Sequence, residues 1–402
     1  MAGKVLMKGN EALAEAALRA GCRHFFGYPI TPQTELAAYM AKHMPKLGGT
    51  YLQAESEVAA INMVYGASAA GVRVMTSSSS PGVSLKSEGI SYLIGADLPA
   101  LIINVQRGGP GLGGIQPSQA DYWMATRAPG HGDGHVIVLA PSTVQEMADL
   151  VALAFDLGDR YRVPAMILAD GLLGQMMEPV SLPEALDAAS LPPKPWATRG
   201  HQGKRPHNAV NSLFLVAQEL EDSITGRWVR YEQARASEQR AESYLVEDAD
   251  VIVVAYGAAA RIARSAVNKL RDEGIRAGLI RPITLWPYPI DAIEATIETT
   301  GAYLVTEFSM GQMVDDVQLA VNGRRPVSFF AHTGGIVPTP DEIAEALRRV
   351  ASGEQMRLVP VHSKLAGGAG GGAGGGAGGG GGAGGGGGAG DESATELTGG
   401  AL

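Results

Sequence analysis

The sequence predicts an α/β protein built on parallel sheets, and three observations support this class. Short apolar runs alternate along the chain with longer segments whose apolar residues recur at helical spacing. Some of these runs are apolar along almost their whole length, as at 100–105 (ALIINV) and 250–257 (DVIVVAYG). Strands of this kind are typical of parallel sheets that helices cover on both faces. Glycine also follows several helical segments, where it can end them.

The first block of alternating elements spans residues 1–180. Asn10 is predicted to cap a helix that runs to Ala20, and Gly21 ends it before a strand at 22–26. The elements that follow are a helix from Thr31 to about Lys42, strand 50–53, helix 57–70, strand 72–76, helix 83–95, strand 100–105, strand 135–140, a helix with a Ser142/Gln145 capping box, and strand 164–170. This order predicts a parallel α/β domain.

The rest of the chain divides into three parts. Residues 181–245 are rich in proline and then in arginine, which predicts a linker with one exposed helix. Alternating strands and helices resume over 246–355 and predict a smaller α/β domain. Residues 361–402 include a run of only Gly and Ala at 366–390, which has almost nothing to bury and predicts a disordered tail.

Composition excludes several functional classes. The net charge is −9 and no dense basic run occurs, which argues against a nucleic-acid partner. Cys22 is the one cysteine of the sequence, so a disulfide framework, a cysteine-ligated zinc site and a self-contained iron–sulfur cluster are all excluded. No apolar run has the length of a signal peptide core or a membrane span. We therefore expect a cytoplasmic protein, with no metal ligands on this chain.

Polar side chains follow the first four strands of the predicted large sheet. These loops carry Thr31, then Glu55 and Glu57, then the serines 77–80, then Arg107. Parallel strands end at one edge of their sheet, and ligands bind outside that edge. Each residue also has a structural interpretation: Thr31 can cap a helix, carboxylates favour helix N-termini, and Arg107 can pair with a surface acid. Together the four loops predict a ligand site.

Three segments resemble known functional motifs, but the residues around them do not fit those motifs. The glycines 109, 111 and 114 match G-x-G-x-x-G, but no apolar helix follows them. Gly132-Asp133-Gly134 resembles the start of the diphosphate–magnesium motif of thiamine enzymes, but no asparagine occurs between 134 and 200. The serine row lacks a G-x-S-x-G elbow, which argues against a hydrolase nucleophile.

Several long strings resemble the α subunit of the 2-oxoacid:ferredoxin oxidoreductases. They are MKGNEALAEAALRAGC, GYPITPQTE, QAESEVAAINMVYGASAAG, TSSSSPG, NVQRGGPGLGG, GLIRPITLWPYP and VTEFSMGQM. The likeness covers about residues 5–350 and is strongest to the 2-oxoisovalerate (3-methyl-2-oxobutanoate) type. It implies a pyruvate:ferredoxin oxidoreductase N-terminal-like domain with the thiamine-diphosphate-binding, pyrimidine-domain fold, and a smaller transketolase C-terminal-like domain.

The resemblance also implies roles for single residues. Glu57 matches the glutamate that binds N1′ of the cofactor's aminopyrimidine; Glu55 is the alternative, but the family residue stands directly before the helix. Thr31 and Arg107 match the residues that hold the 2-oxoacid, and arginine suits a carboxylate through paired charge-assisted bonds. Pro29 and Ser79 are expected near the cofactor. Pro29 and Pro32 are expected to brace Thr31.

The resemblance implies an enzyme that works only as a complex. Thiamine diphosphate is shared with a β subunit that brings Mg²⁺ and [4Fe–4S] clusters; γ and ferredoxin-like δ subunits, coenzyme A and ferredoxin complete the system. The implied reaction is oxidative decarboxylation of a 2-oxoacid to acyl-CoA and CO₂. A branched-chain acid is favoured because no second basic residue is evident for a distal carboxylate. A 2-oxoglutarate or aromatic 2-oxoacid enzyme, a self-contained thiamine decarboxylase or transketolase-like enzyme, and a non-catalytic interaction subunit remain alternatives.

Overall fold

The structure, a computed structural model, describes residues 3–356. Its strands are β1 (Val5–Lys8), β2 (His24–Gly27), β3 (Thr50–Gln53), β4 (Val74–Ser78), β5 (Leu101–Gln106), β6 (Ile137–Leu139), β7 (Ala165–Asp170), β8 (Met177–Val180), β9 (Ala241–Tyr244), β10 (Val251–Val254), β11 (Ala277–Pro282), β12 (Thr284–Trp286), β13 (Ala302–Glu307) and β14 (Val327–Ala331). Its α-helices are α1 (Gly9–Arg19), α2 (Thr34–His43), α3 (Glu57–Ala69), α4 (Ser80–Gly95), α5 (Tyr122–Thr126), α6 (Val144–Tyr161), α7 (Gly171–Gln175), α8 (Ala217–Ser237), α9 (Gly257–Asp272), α10 (Ile290–Glu294), α11 (Met313–Val321) and α12 (Pro340–Ala351).

The larger sheet has seven strands in the order β12-β6-β7-β5-β4-β2-β3. Every neighbouring pair is parallel except β12 and β6. The central strands β5 and β7 are buried along their whole length, which fits their continuous apolar sequence. This sheet matches the predicted α/β class and places the ends of β2, β3, β4 and β5 side by side.

The smaller sheet has five strands in the order β14-β13-β10-β11-β9. Strands β10, β11, β13 and β14 run parallel, and β9 is antiparallel to β11 at the edge. Helices α9 and α12 pack together over it, and their buried faces repeat at helical spacing. Strands β1 and β8 form a separate antiparallel pair.

Two segments lie differently from the predicted division of the chain. Strand β12 falls inside the predicted smaller domain 246–355, yet it pairs with β6 in the larger sheet. Strand β9 falls inside the predicted linker 181–245, yet it belongs to the smaller sheet. Both segments are very short, and long-range pairing decides their placement rather than local pattern. Helix α8 is the predicted linker helix and is largely exposed. The predicted tail, 361–402, lies outside the described residues.

Three predicted helix starts are wrong in detail. Lys8, not Asn10, is the N-cap of α1, because the Asn10 side chain is used elsewhere. The capping hydroxyl of α6 is Thr143, one residue after the predicted Ser142. Helix α4 begins at Ser80 instead of Val83, because Pro81 fits the first turn of a helix, where no backbone N–H is required.

None of the helices within residues 3–356 has both the length and the apolar composition that a membrane crossing requires.

Candidate functional site

Four loops meet at the carboxyl edge of the larger sheet. They follow β3, β2, β4 and β5, which are consecutive neighbours in that sheet. The residues singled out from the sequence, Thr31, Glu57, the serines 77–80 and Arg107, therefore lie at one edge. Glu55 lies there too, but its side chain is exposed, whereas Glu57 is 6% exposed.

The main chain around Thr31 is held by three side chains. The Arg107 guanidinium donates to the Thr31 carbonyl at 3.0 Å, and the Asn10 amide donates to the Pro32 carbonyl at 2.8 Å. Gln33 is fully buried and donates to the Tyr28 carbonyl at 3.3 Å. Thr31 does not cap α2, which begins at Thr34 with Gln33 as its N-cap. The Thr31 side chain is exposed, and none of residues 3–356 forms a hydrogen bond with its hydroxyl.

Arg107 is buried but forms no ion pair with any acid in the described chain. Its two terminal nitrogens donate to the carbonyls of Thr31 and Leu112, and its Nε, which is also buried, has no partner among residues 3–356. A buried guanidinium with an unused donor and no acid partner is suited to an anionic ligand. The interpretation of Arg107 as half of a surface ion pair is not supported.

Glu57 opens α3 behind the N-cap Ser56, whose hydroxyl accepts from the Ala59 amide at 3.1 Å. None of residues 3–356 donates a hydrogen bond to the Glu57 carboxylate. The carboxylate of a largely buried glutamate without donors loses part of its hydration and gains no hydrogen bond in return. The position at the helix N-terminus offsets part of this cost. Such a group is suited to accept a hydrogen bond from a ligand.

Helix α4 approaches Glu57 closely through Gly82. A Cβ at residue 82 would lie 2.8 Å from Glu57 Oε1 and 2.2 Å from Ser78 Oγ. Any larger side chain would therefore displace the carboxylate. The hydroxyls of Ser78 and Ser79 are buried beside this approach and have no hydrogen-bond partner within residues 3–356.

These orphaned groups fit the aminopyrimidine end of thiamine diphosphate, which offers both donors and acceptors on its ring. Glu57 provides a free acceptor, and the hydroxyls of Ser78 and Ser79 provide further unpaired polar groups. Pro29 is exposed at the same edge. The described residues contain no group of three or more His, Cys, Asp or Glu placed to hold a metal ion.

The sequence alone did not reveal three residues that organise this edge: Asn10, Gln33 and Lys86. Ser77 donates from its hydroxyl to Gln33 Oε1 at 2.6 Å, and Lys86 donates from Nζ to the Ser77 carbonyl at 3.1 Å. Lys86 is fully buried on α4. The one signal that the sequence offers for such a residue is its polar side chain near a predicted helix start. That signal does not show which distant group the side chain binds.

A cavity of about 630 Å³ opens beside Thr31. Its lining includes apolar side chains from loops of both sheets and contains no charged residue. The lining residues are Thr31, Pro32, Ile115, Gln116, Pro117, Gly171, Leu172, Gln175, Met176, Gly335 and Val337. A cavity of this volume is large enough for a small organic molecule.

Two family models match most of the described chain. The model described as pyruvate flavodoxin/ferredoxin oxidoreductase, thiamine diphosphate-binding, matches residues 15–260. The model of the pyruvate:ferredoxin oxidoreductase core domain II matches residues 249–343. The chain thus contains a thiamine-diphosphate-binding domain of the ferredoxin-linked type.

Two individual relatives indicate the family to which the chain belongs within this class. Ketoisovalerate oxidoreductase subunit VorB of Methanothermobacter thermautotrophicus is 47% identical over 86% of this chain and 97% of that subunit. The 2-oxoglutarate synthase subunit KorA of the same organism is 35% identical over 87% of this chain and 100% of that subunit. The chain belongs to the family of 2-oxoacid:ferredoxin oxidoreductase subunits.

Solved structures agree with this assignment. The 2-oxoglutarate:ferredoxin oxidoreductase from Magnetococcus marinus, solved with 2-oxoglutarate, coenzyme A and succinyl-CoA bound, superposes with a TM-score of 0.75 at 26% identity. The match covers 87% of this chain and 65% of that one, slightly less than two thirds of its length. A split-gene transketolase, an inactive β4 tetramer, shares the fold with a TM-score of 0.55 at 15% identity over 86% of this chain and 98% of that one.

Proposed function

We propose that this chain is the α subunit of a 3-methyl-2-oxobutanoate:ferredoxin oxidoreductase. The assembled enzyme converts a branched-chain 2-oxoacid, coenzyme A and oxidised ferredoxin to acyl-CoA, CO₂ and reduced ferredoxin. One observation carries the proposal: a buried carboxylate without donors, Glu57, lies at the same sheet edge as Arg107, a guanidinium without an acid partner.

Glu57 is the residue that binds the cofactor in this proposal. When bound, thiamine diphosphate supplies the carbon nucleophile and the electron sink that decarboxylation requires. The Glu57 carboxylate accepts a hydrogen bond from N1′ of the pyrimidine and holds the proton at that atom. Gly82 leaves room for this carboxylate and Ser78 lies beside the same approach, while Ser79 and Pro29 belong to loops of the same sheet edge. The exposed neighbour Glu55 has no such role.

Thr31 and Arg107 hold the carboxyl end of the 2-oxoacid. The Arg107 guanidinium supplies positive charge and unused donors, and the exposed Thr31 hydroxyl supplies one more. The hydrogen bonds to the carbonyls of Thr31 and Pro32 keep that hydroxyl in place. This arrangement positions the substrate without a large loss of side-chain freedom upon binding.

The substrate's side chain is apolar in this proposal. The cavity beside Thr31 has no charged residue in its lining, so nothing there would neutralise the distal carboxylate of 2-oxoglutarate. The relatives named for ketoisovalerate are 47% identical to this chain, against 35% for those named for 2-oxoglutarate synthase. Both observations favour a branched-chain acid over a dicarboxylic one.

Partner subunits complete the site. The relatives are named as subunits, and we infer a β subunit that carries the diphosphate, Mg²⁺ and [4Fe–4S] clusters, with γ and ferredoxin-like δ subunits. Exposed apolar side chains on the strands, loops and helices that form this edge support a partner there: Tyr28, Leu52, Val58 and Leu85. Coenzyme A enters as cosubstrate, and ferredoxin receives the electrons. A cytoplasmic location is part of the same proposal.

The test is coexpression of this chain, carrying an affinity tag, with its β, γ and δ partners. The purified complex is assayed for coenzyme A-dependent ferredoxin reduction with 3-methyl-2-oxobutanoate, 2-oxoglutarate and phenylpyruvate. We expect kcat/KM for 3-methyl-2-oxobutanoate to exceed that for 2-oxoglutarate at least about tenfold, because one uncompensated charge costs more than 1.4 kcal/mol. Preference for 2-oxoglutarate would overturn the substrate assignment. Aldehyde release by the isolated chain with thiamine diphosphate would overturn the subunit assignment.

A further inference from the structure

A second cavity lies at the edge of the larger sheet opposite the candidate active site. It has a volume of about 290 Å³. It opens where the parallel strands β2 and β4 begin, beside His24 and Arg73. Gly21 and Gly71, in the turns that follow α1 and α3, line it on one side, and residues 188–194 line it on another. It shares no lining residue with the cavity beside Thr31.

The lining of this second cavity is cationic. It contains Arg23, Arg73, Lys194 and Arg199, together with the imidazole of His24, and we call it the basic cavity. None of the acids within residues 3–356 belongs to the lining. The cavity beside Thr31, in contrast, has no charged residue in its lining. An enclosed surface that carries one sign of charge attracts ions of the opposite sign.

Two of these four cations have acid partners outside the lining. Arg73 binds Asp156 through Nη2 at 2.5 Å and Asp159 through Nε at 3.0 Å. Its third nitrogen, Nη1, donates to the Ala20 carbonyl at 2.8 Å. Lys194 binds the other oxygen of Asp159 at 2.5 Å. Arg73 and Lys194 are therefore neutralised by the protein itself.

Arg23 and Arg199 have no acid partner within residues 3–356 and bind main-chain carbonyls instead. Nη1 of Arg23 donates to the carbonyls of Leu18 and Cys22 at 2.7 and 2.9 Å. Arg199 donates from Nε and Nη2 to the carbonyls of residues 70 and 71 at 2.9 and 3.4 Å. Such bonds satisfy the free carbonyls at helix C-termini. They leave Nε and Nη2 of Arg23 and Nη1 of Arg199 without a hydrogen-bond partner in the described chain.

The cations of the basic cavity also repel one another. Burial lowers the pKa of the Lys194 ammonium; Asp159 opposes this decrease, and the charges of Arg73 and Arg199 add to it. Nδ1 of His24 is buried and has no hydrogen-bond partner among residues 3–356. An anion in the cavity would reduce the repulsion and accept hydrogen bonds from the unused N–H groups.

The segment that carries Lys194 and Arg199 is fixed against the end of α3. Thr198 donates from its amide and its hydroxyl to the Ala69 carbonyl at 2.8 and 3.0 Å. Gly71 has a φ of +82°, and a Cβ at this residue would lie 2.5 Å from the Ala197 Cβ. Glycine is therefore required for this packing. Cations held on a fixed segment lose little conformational freedom when a ligand binds.

We propose that the basic cavity binds a small phosphate-bearing anion through the guanidinium groups of Arg23 and Arg199. Phosphate oxygens accept several N–H donors at once, and arginine matches their geometry. The volume of about 290 Å³ lies at the lower end of the range for small-molecule sites, which suits inorganic phosphate or a small phosphate ester. The proposal is independent of the proposed function, because neither Glu57 nor Arg107 lines this cavity.

The test is isothermal titration calorimetry of the complete complex at constant ionic strength. The complex is first saturated with thiamine diphosphate and coenzyme A, so that its other phosphate-binding sites are filled. The titrants are inorganic phosphate, adenosine monophosphate and citrate. The variants are Arg23→Gln and Arg199→Gln. The matched control is Arg325→Gln, because the Arg325 guanidinium also binds main-chain carbonyls but lies outside the cavity.

We expect the wild type and the control to bind one phosphate per copy of this chain. The Kd for phosphate should rise about tenfold or more in Arg23→Gln and in Arg199→Gln, about the loss of one charge-assisted hydrogen bond. The ratio of the affinities for adenosine monophosphate and phosphate shows whether the cavity holds an ester or the bare ion.

Three results would overturn the proposal: no saturable binding of phosphate or adenosine monophosphate by the wild type, equal Kd values in the cavity variants and the control, or tighter binding of citrate than of either phosphate compound. The melting temperature without phosphate identifies a variant that fails to assemble. Arg23→Lys or Arg199→Lys then takes its place, with a smaller rise in Kd expected, because lysine keeps the charge but loses the planar donors. An unchanged Kd in these lysine variants would count equally against the proposal.

Discussion

Glu57 and Glu307 are both buried glutamates at the carboxyl edge of a parallel sheet, yet they differ in their hydrogen bonds. Glu307 ends β13, and its carboxylate accepts from the Ser309 hydroxyl at 2.8 Å and from the amides of Gln312, Met313 and Val314 at 3.0–3.2 Å. Glu57 has no donor among residues 3–356.

The difference separates a structural carboxylate from a ligand-binding one. Glu307 satisfies the free amides at the start of α11; burial raises the pKa of its carboxyl, and these hydrogen bonds offset only part of that rise. Burial alone therefore does not indicate function. A buried carboxylate with unused acceptor capacity does, because a folded chain rarely retains such a group without a partner.

Glu57→Gln should have the largest effect on activity. The amide cannot hold the proton at N1′, so we expect turnover of the complex to fall a hundredfold or more, about the scale of a lost proton-transfer group. The melting temperature should change little, because no hydrogen bond within the described chain is lost. The matched control is Glu55→Gln, two residues away and exposed, which should retain near-normal turnover. Equal losses in the two variants would contradict the distinction.

Glu307→Ala should show the opposite behaviour. It leaves three backbone amides and a hydroxyl buried without an acceptor, so we expect the free energy of unfolding to fall by about 2–4 kcal/mol. Chemical denaturation of the complex measures this loss, and thiamine diphosphate affinity at a permissive temperature should stay near wild type. The exposed Glu298→Ala serves as control, with a change within about 0.5 kcal/mol. A Glu307→Ala variant whose free energy of unfolding equals that of the wild type would contradict the distinction between Glu307 and Glu57.

Arg107→Lys tests the substrate side of the same edge. Lysine keeps the charge but loses the planar pair of donors and the bond to the Thr31 carbonyl. We expect KM for the 2-oxoacid to rise about tenfold or more, with a smaller change in kcat. Steady-state kinetics across 2-oxoacid concentrations measures both. The control is Arg349→Lys, at an exposed position of α12, which should leave both KM and kcat unchanged. An unchanged KM in Arg107→Lys would remove this residue from the substrate site.

Lys86→Met should raise the stability of the protein at neutral pH. The folded-state pKa of Lys86 is about 8, below its ordinary value of 10.5, so the unfolded chain binds more protons between these pH values. Burial of Lys86 therefore destabilises the fold below pH 8, by up to about 3 kcal/mol, and this cost disappears as pH rises towards 10.5. We expect Lys86→Met to be about 1–3 kcal/mol more stable at pH 7 and equal to wild type near pH 10.5. A stability difference independent of pH would refute this account.

Local sequence predicted the elements around Glu57 well. Strand β3 and the start of α3 lie where alternation and the Ser56-Glu57 boundary place them, because capping and helix propensity are local. The parallel class and the shared edge of the four loops also followed from pattern. The roles of Thr31, Glu57 and Arg107 required the family resemblance and stay predictions.

Long-range partners could not be predicted from local sequence. Asn10 was interpreted as a cap, yet it binds the Pro32 carbonyl across 22 residues. Nothing in the local sequence marks Lys86 as buried, yet it is fully buried on α4, which packs against α3. Strand β12 has three residues, too few to show a period, and crosses to the larger sheet. Each of these positions is decided by tertiary contacts.

The most direct measurement is a structure of the assembled complex with thiamine diphosphate and Mg²⁺ bound. The account predicts that a Glu57 carboxylate oxygen lies at hydrogen-bond distance from N1′ of the pyrimidine, about 2.6–3.0 Å, and that Thr31 and Arg107 lie at the same sheet edge as the bound ring. A pyrimidine ring bound elsewhere, or a Glu57 carboxylate already paired with a donor of the partner subunit, would contradict it.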